Sequence, residues 1–153
     1  MTNELANKEE KGYQLTVGVD GKYKRKAVYN SFTSVRPETR EQKIAMMNLL
    51  DSDDVALPMS AHIGAEIKIM DVILKPYDSV DEDTGEIASG VLTYLITPEG
   101  IAYVTSSKSV YFTLQTAFSV FGEPHYNAGE EVIVQIVKKD GQKFKYTDIK
   151  VVG

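Results

Sequence analysis

At Ser107 the spacing of the apolar residues changes from the alternation of a strand to the period of a helix, and the order of elements around that change constrains the fold. Upstream, Val91–Ile96 is β-branched and aromatic, and Ile101–Thr105 is a second short run of the same kind. Between them Thr97–Gly100 carries turn chemistry: Pro98 presets one φ and Gly100 accepts a positive one. The spacing predicts a hairpin. Downstream, Val110, Tyr111, Leu114, Ala117, Phe118 and Phe121 fall on one helical face, which predicts a helix over 108–121. Ser107 is the expected N-cap, its hydroxyl accepting from a first-turn N–H. Gly122 and Pro124 end the helix.

The flanks extend the pattern. Glu66–Tyr77 reads as a long strand in which Ile67 and Ile69 share one face while Val72 and Leu74 take the opposite phase. A bulge near Met70–Asp71 would produce that reversal. After the helix, Glu131–Val137 alternates, Lys138–Gln142 (KKDGQ) is a hairpin turn carrying Asp-Gly, and Lys143–Val152 is the closing strand. Residues 66–152 thus read strand, strand, strand, helix, strand, strand. That is the order of the OB-fold, a five-stranded Greek-key barrel with a helix between strands 3 and 4. The expected fold is mainly β: an OB-fold barrel over 62–153, plugged by Leu114, Phe118 and Phe121 of the helix. Ahead of it lie a polar, disordered tail (1–12) and an N-terminal β/α extension (13–61). The extension pairs strands over 13–35, starting with Tyr13–Val19 and the turn Asp20-Gly21. It then forms a helix from Pro37 to Leu50 with Ile44, Met46, Met47 and Leu50 as its apolar face.

Composition narrows the function. The 153 residues include no cysteine and two histidines, so no disulfide, thiol nucleophile or thiolate zinc site is expected. No cofactor or metal is expected. Asp51–Asp54 and the acidic loop Asp78–Glu86 lack the spacing of a calcium loop and read as solvated. No run reaches transmembrane length and the polar start lacks a signal-peptide core, so a cytoplasmic protein of a cell, phage or mobile element is expected. No G-x-S-x-G, H-E-x-x-H or phosphate-binding loop occurs, and the neighbouring side chains of Ser107 and Lys108 diverge, so no enzyme is expected. The net charge of −5 argues against nucleic acid only if the charges are mixed, and they are segregated. Lys22, Lys24, Arg25 and Lys26 alternate with Tyr23, Tyr29 and Phe32. Cations meet phosphates and rings stack on bases, which suits a single nucleic-acid strand. A solvated edge strand with inward rings accounts for the same run.

The stretch TPEGIAYVTSSKSV, the amphipathic helix ending FGEP, and VIVQIVKKDGQKFKYTDIKV resemble the small single-stranded DNA-binding proteins of Gram-positive phages and related mobile elements, including the phi29-type group. The resemblance covers about the last two-thirds of the chain and leaves residues 1–60 outside it. It implies binding and protection of single strands during replication or transfer in a bacterial host cell. The expected partners are single-stranded DNA, replication or transfer proteins and further copies of the chain, with no membrane.

The residues themselves are compatible. In an OB-fold the face of strands two and three, with the one–two and four–five loops, meets the ligand. There Tyr94 and Tyr103 are expected side by side as a stacking platform. The four–five hairpin supplies Lys138, Lys139, Lys143, Lys145, Phe144 and Tyr146, and strand one adds Lys68, Lys75 and Tyr77. Lys24, Arg25 and Tyr29 are a further candidate contact. The tyrosines also suit half-buried barrel positions with wet hydroxyls. The competing function is an OB-type protein-interaction or assembly module without nucleic-acid binding, favoured by the acidic balance and the Met46–Met47 helix. Titration with oligothymidine at two salt concentrations separates the two. A DNA binder shows tyrosine quenching and an affinity that falls steeply with salt; an interaction module shows neither.

Overall fold

A strand broken at Met70 joins the two larger sheets. The computed structural model describes residues 13–17, 23–52 and 54–153, with backbone alone for 13–17 and 23–27. The expected tail 1–12, the Asp20-Gly21 turn, Lys22 and Asp53 lie outside the described residues. The elements in order are β1 (Tyr13–Val17), β2 (Tyr23–Ala27), β3 (Phe32–Thr33), helix α1 (Arg40–Asp51), β4 (Leu57–Pro58) and a 3-10 turn (Met59–Ala61). There follow β5 (Glu66–Ile69), β6 (Asp71–Val80), β7 (Ile87–Ile96), β8 (Ala102–Thr105), helix α2 (Lys108–Phe121), β9 (Val132–Asp140) and β10 (Lys145–Val151). The fold is mainly β with two helices, and its sheets are consistent with a β-barrel-like arrangement.

β5 pairs with β9, and β9 with β10, in a three-stranded antiparallel sheet. β6 belongs to a five-stranded sheet of order β3-β6-β7-β8-β4, in which β4 runs parallel to β8. β1 and β2 pair with each other. At the break, Met70 donates its N–H to Ile96 and accepts from the N–H of Tyr126, so its backbone stays satisfied while the phase reverses. Ile67 and Ile69 before the break, and Val72 and Leu74 after it, all enter one core. Val91, Leu95, Val132, Val134, Ile136 and Ile149 complete the sheet side of that core.

α2 covers this core with Val110, Tyr111, Leu114 and Ala117. Phe121 was expected in the plug but is 51% exposed, because the helix ends on it and the chain turns away at Gly122. Ser107 occupies the N-cap, yet its hydroxyl makes no capping bond. It donates instead to the Thr147 carbonyl at 2.6 Å and so ties the start of α2 to β10.

The segment expected as an extension joins the five-stranded sheet at both edges: β3 pairs with β6, and β4 with β8. Tyr29 is buried edge-on against Tyr111, with ring centroids 5.1 Å apart, and Phe32 packs on Phe118. α1 begins at Arg40 and not at Pro37, because Thr39 and Gln42 form a capping box. Thr39 Oγ1 accepts from the Gln42 N–H at 3.1 Å, and Gln42 Oε1 accepts from the Thr39 N–H at 3.2 Å. The face that meets the sheet is Met46, Leu49 and Leu50; Ile44 and Met47 point to solvent. Under that face lie Ile73, Tyr94 and Ala102, a second core on the outer side of the sheet.

Two truncations in α2 distinguish core from surface. Leu114→Ala should cost about 2–5 kcal/mol, the usual range for a buried leucine. Phe121→Ala should fall within about 0.5 kcal/mol, as for an exposed site. Urea denaturation of both variants checks the assignment.

Candidate nucleic-acid interface

Register decides which tyrosines are available. In the β7–β8 pair, Tyr94 lies opposite Val104, and Leu95 lies opposite Tyr103. Opposed residues share a face and neighbours alternate, so Tyr94 and Tyr103 stand on opposite sides of the sheet. The expected side-by-side platform is therefore absent. Tyr94 is 4% exposed beneath α1, and Tyr103 is half-buried against the main core with its ring edge-on to His62. Tyr29 is a core residue, as its packing on Tyr111 shows. Lys24 and Arg25 lie on β2 opposite Thr16 and Leu15, and their side chains are outside the described residues.

The remaining candidates separate into three places. Lys68 is exposed on β5, opposite Ile133. Lys75 and Tyr77 share one face of β6, and Lys75 Nζ donates to the Leu50 carbonyl at 3.2 Å. Tyr77 lies over Gly90, where an added Cβ would come within 2.5 Å of the ring and displace it from this position. The rest cluster on the β9–β10 hairpin.

That hairpin extends past the core. Asp140 opposes Lys145, Lys139 opposes Tyr146, and Lys138 opposes Thr147. The turn is therefore 141–144, later than the expected Lys138–Gln142, and the Gly141 N–H closes it on the Phe144 carbonyl at 2.8 Å. Phe144 is 77% exposed and Tyr146 37%. Lys138, Lys143 and Lys145 are exposed and enter no ion pair among the described residues. Lys139 is different: its Nζ lies 2.9 Å from Asp148 Oδ2. Asp148 is buried and also accepts from Thr113 Oγ1 at 3.0 Å and from the Ile149 N–H at 2.8 Å. The hydrogen bond and charge of Asp148 hold the Lys139 ammonium above the usual lysine range.

Beside the hairpin, no strand pairing joins β8 to β10 among the described residues. A surface groove of about 580 Å³ occupies this seam. Leu92, Val104 and Pro58 supply apolar wall, Tyr146 a ring, and Lys108 a cation. Lys108 was not among the candidates: T-S-S-K-S reads as a helix start, and nothing local reports that β10 passes beside it. A second groove, about 730 Å³, sets Asp71 and Glu123 against Arg36. Asp71 Oδ1 there accepts from Ser34 Oγ at 2.8 Å and lies 2.9 Å from His125 Nδ1, so these three side chains serve one another.

The expected acidic loop is an arm. β6 and β7 stay paired out to Val80 opposite Ile87, and only 81–86 is loop. Asp81 Oδ1 orders the loop by accepting from the N–H groups of Asp83 and Thr84. The carboxylates of Asp78, Asp81, Glu82, Asp83 and Glu86 match the whole net charge of the chain, and Tyr77–Gly90 contains no lysine or arginine. A phosphate backbone is repelled from this arm, and the hairpin carrying Lys138, Lys143 and Lys145 is left as its counterpart. No group of histidines and acids among the described residues is arranged to hold a metal ion. No helix among them is long and apolar enough to cross a membrane.

The model of the family described as phage single-stranded DNA-binding protein matches residues 24–149. The chain is also similar to a single-stranded DNA-binding protein of Bacillus phage GA-1, 39% identical over 148 residues. That likeness covers 95% of this chain and 86% of the relative. No solved structure matches the chain.

Asp148→Ala should cost about 1–3 kcal/mol in urea denaturation, because the half-buried Thr113 hydroxyl and the buried Ile149 N–H lose their acceptor. The raised Lys139 pKa has a definite sign. Its stabilisation is complete below the ordinary lysine pKa and is lost as pH rises through the folded value. Melting curves across the alkaline range should show that loss in the wild type and not in Lys139→Ala.

Proposed function

We propose a binding mode for this chain from one premise: it belongs to the phage single-stranded DNA-binding protein family. Its function is to bind single-stranded DNA in phage replication. The family is a DNA-binding one, and the reading as an interaction module without nucleic acid is not favoured.

The topology supports an OB-type barrel. Its first strand is β5–β6, its second and third are β7 and β8, α2 follows, and β9–β10 is the four–five hairpin. The observation that carries the binding mode is this hairpin, where exposed Phe144 and Tyr146 stand among Lys138, Lys143 and Lys145. A ring offers a π-face to any base, which makes binding sequence-tolerant, and lysines follow the backbone and release counterions. Protection of the strand follows from this sequence-tolerant cover. Lys75 and Tyr77 continue the path along β6, short of the acidic arm tip at 81–86. Lys68 on β5 adds peripheral charge, and Tyr103 contributes its half-exposed edge. Tyr94 and Tyr29 serve the core. The extension 13–61 acts with the barrel through β3 and β4, and the protein works in the cytoplasm of the bacterial host.

Oligothymidine titration of variants tests the mode. Phe144→Ala should weaken binding by about 1–3 kcal/mol with little change in salt slope. Lys143→Ala should flatten the slope by about 0.7, the single-strand value per phosphate contact. Lys139→Ala should change the slope less, since Asp148 already neutralises that charge. Wild-type affinity and slope in both Phe144→Ala and Lys143→Ala would remove the hairpin from the interface.

A further inference from the structure

We propose that the seam groove between β8 and β10 is a one-nucleotide subsite, with Lys108 on a phosphate and Tyr146 against the base. The inference rests on the reading of the chain as a single-strand binder whose strand crosses the β9–β10 hairpin.

Four observations support it. The groove's volume of about 580 Å³ falls within the 300–1,000 Å³ typical of small-ligand sites. Its lining holds a cation, a ring, an apolar floor and several hydroxyls, and no carboxylate. These are the groups a nucleotide needs: charge for the phosphate, a flat face for the base, and donors for oxygens. Lys108 is exposed and makes no ion pair among the described residues, so its charge is available. Thr105 Oγ1 lines the groove and accepts from the Ser107 N–H at 3.1 Å, a bond that does not use its own O–H.

Position and stiffness add to the chemistry. Tyr146 belongs both to the groove and to the hairpin. Leu92, on the opposite wall, lies directly across from Lys75 in the β6–β7 pair. The groove therefore links two places that are otherwise separate, and a strand leaving the hairpin reaches Lys75 and Tyr77 through it. The bond from Ser107 Oγ to the Thr147 carbonyl holds the two walls at a set separation, so the site needs little ordering when it fills.

The test uses the full chain and oligothymidine at several salt concentrations. Lys108→Ala should flatten the salt slope by about 0.7, and Lys108→Arg should retain the wild-type slope. Tyr146→Leu should lower affinity about tenfold and leave the slope unchanged, as loss of one stacked base requires. Backbone amide resonances of 105–109 should shift on titration. Wild-type slope in Lys108→Ala, with those resonances unmoved, overturns the groove while Phe144→Ala and Lys143→Ala still report on the hairpin. A wild-type chain that does not bind oligothymidine overturns both readings.

Discussion

The phase reversal at Met70 is the constraint on which the rest depends. A regular strand of this length would turn Val72 and Leu74 away from the core that Ile67 and Ile69 enter. With one residue taken out of the alternation, the strand serves two sheets and keeps its buried face on a single core. The freed backbone groups of Met70 pair with Ile96 and Tyr126, so the reversal leaves no buried donor or acceptor unpaired there. Ile73 then faces the other way and helps to form a second core on the outside of the five-stranded sheet.

That second core bears on where the proposed interface lies. Outward residues of β6, β7 and β8 are largely apolar, and α1 covers them with Met46, Leu49 and Leu50. In the OB-type barrel that we propose, this is the sheet face that would meet a ligand, and α1 partly closes it. What stays open is the rim: the β9–β10 hairpin, the seam beside it, and the edge of β6 at Lys75 and Tyr77. Electrostatics points the same way, because the β6–β7 arm concentrates carboxylates and the hairpin concentrates lysines. A net charge of −5 is then no obstacle to binding an anion, since the sign that a strand meets is local.

Much of the fold was legible in local pattern. The helix over 108–121, the turn at Thr97–Gly100 and the break near Met70 each follow from periodicity or turn chemistry within a few residues. The capping box of Thr39 and Gln42 was also written in the sequence, although the proline at 37 suggested an earlier start. Family membership too was visible in short phrases such as TPEGIAYVTSSKSV.

The candidate site was less legible, for a physical reason. Period-two alternation says that Tyr94 and its neighbours differ in face, but only the pairing partner says which face is outside. Leu95 opposite Tyr103 settled that against the tyrosine pair, and α1 then buried Tyr94. The availability of each lysine is likewise a long-range property: Lys139 meets Asp148 across the hairpin, and Lys75 meets Leu50 across 25 residues. Lys108 gained its neighbourhood only when β10 came to rest beside the start of α2. The sequence by itself determined the elements, the break and the segregation of charge, because these follow from adjacent side chains and backbone preferences. The tertiary structure alone decided which rings and cations face solvent, because that depends on contacts between residues far apart in the chain.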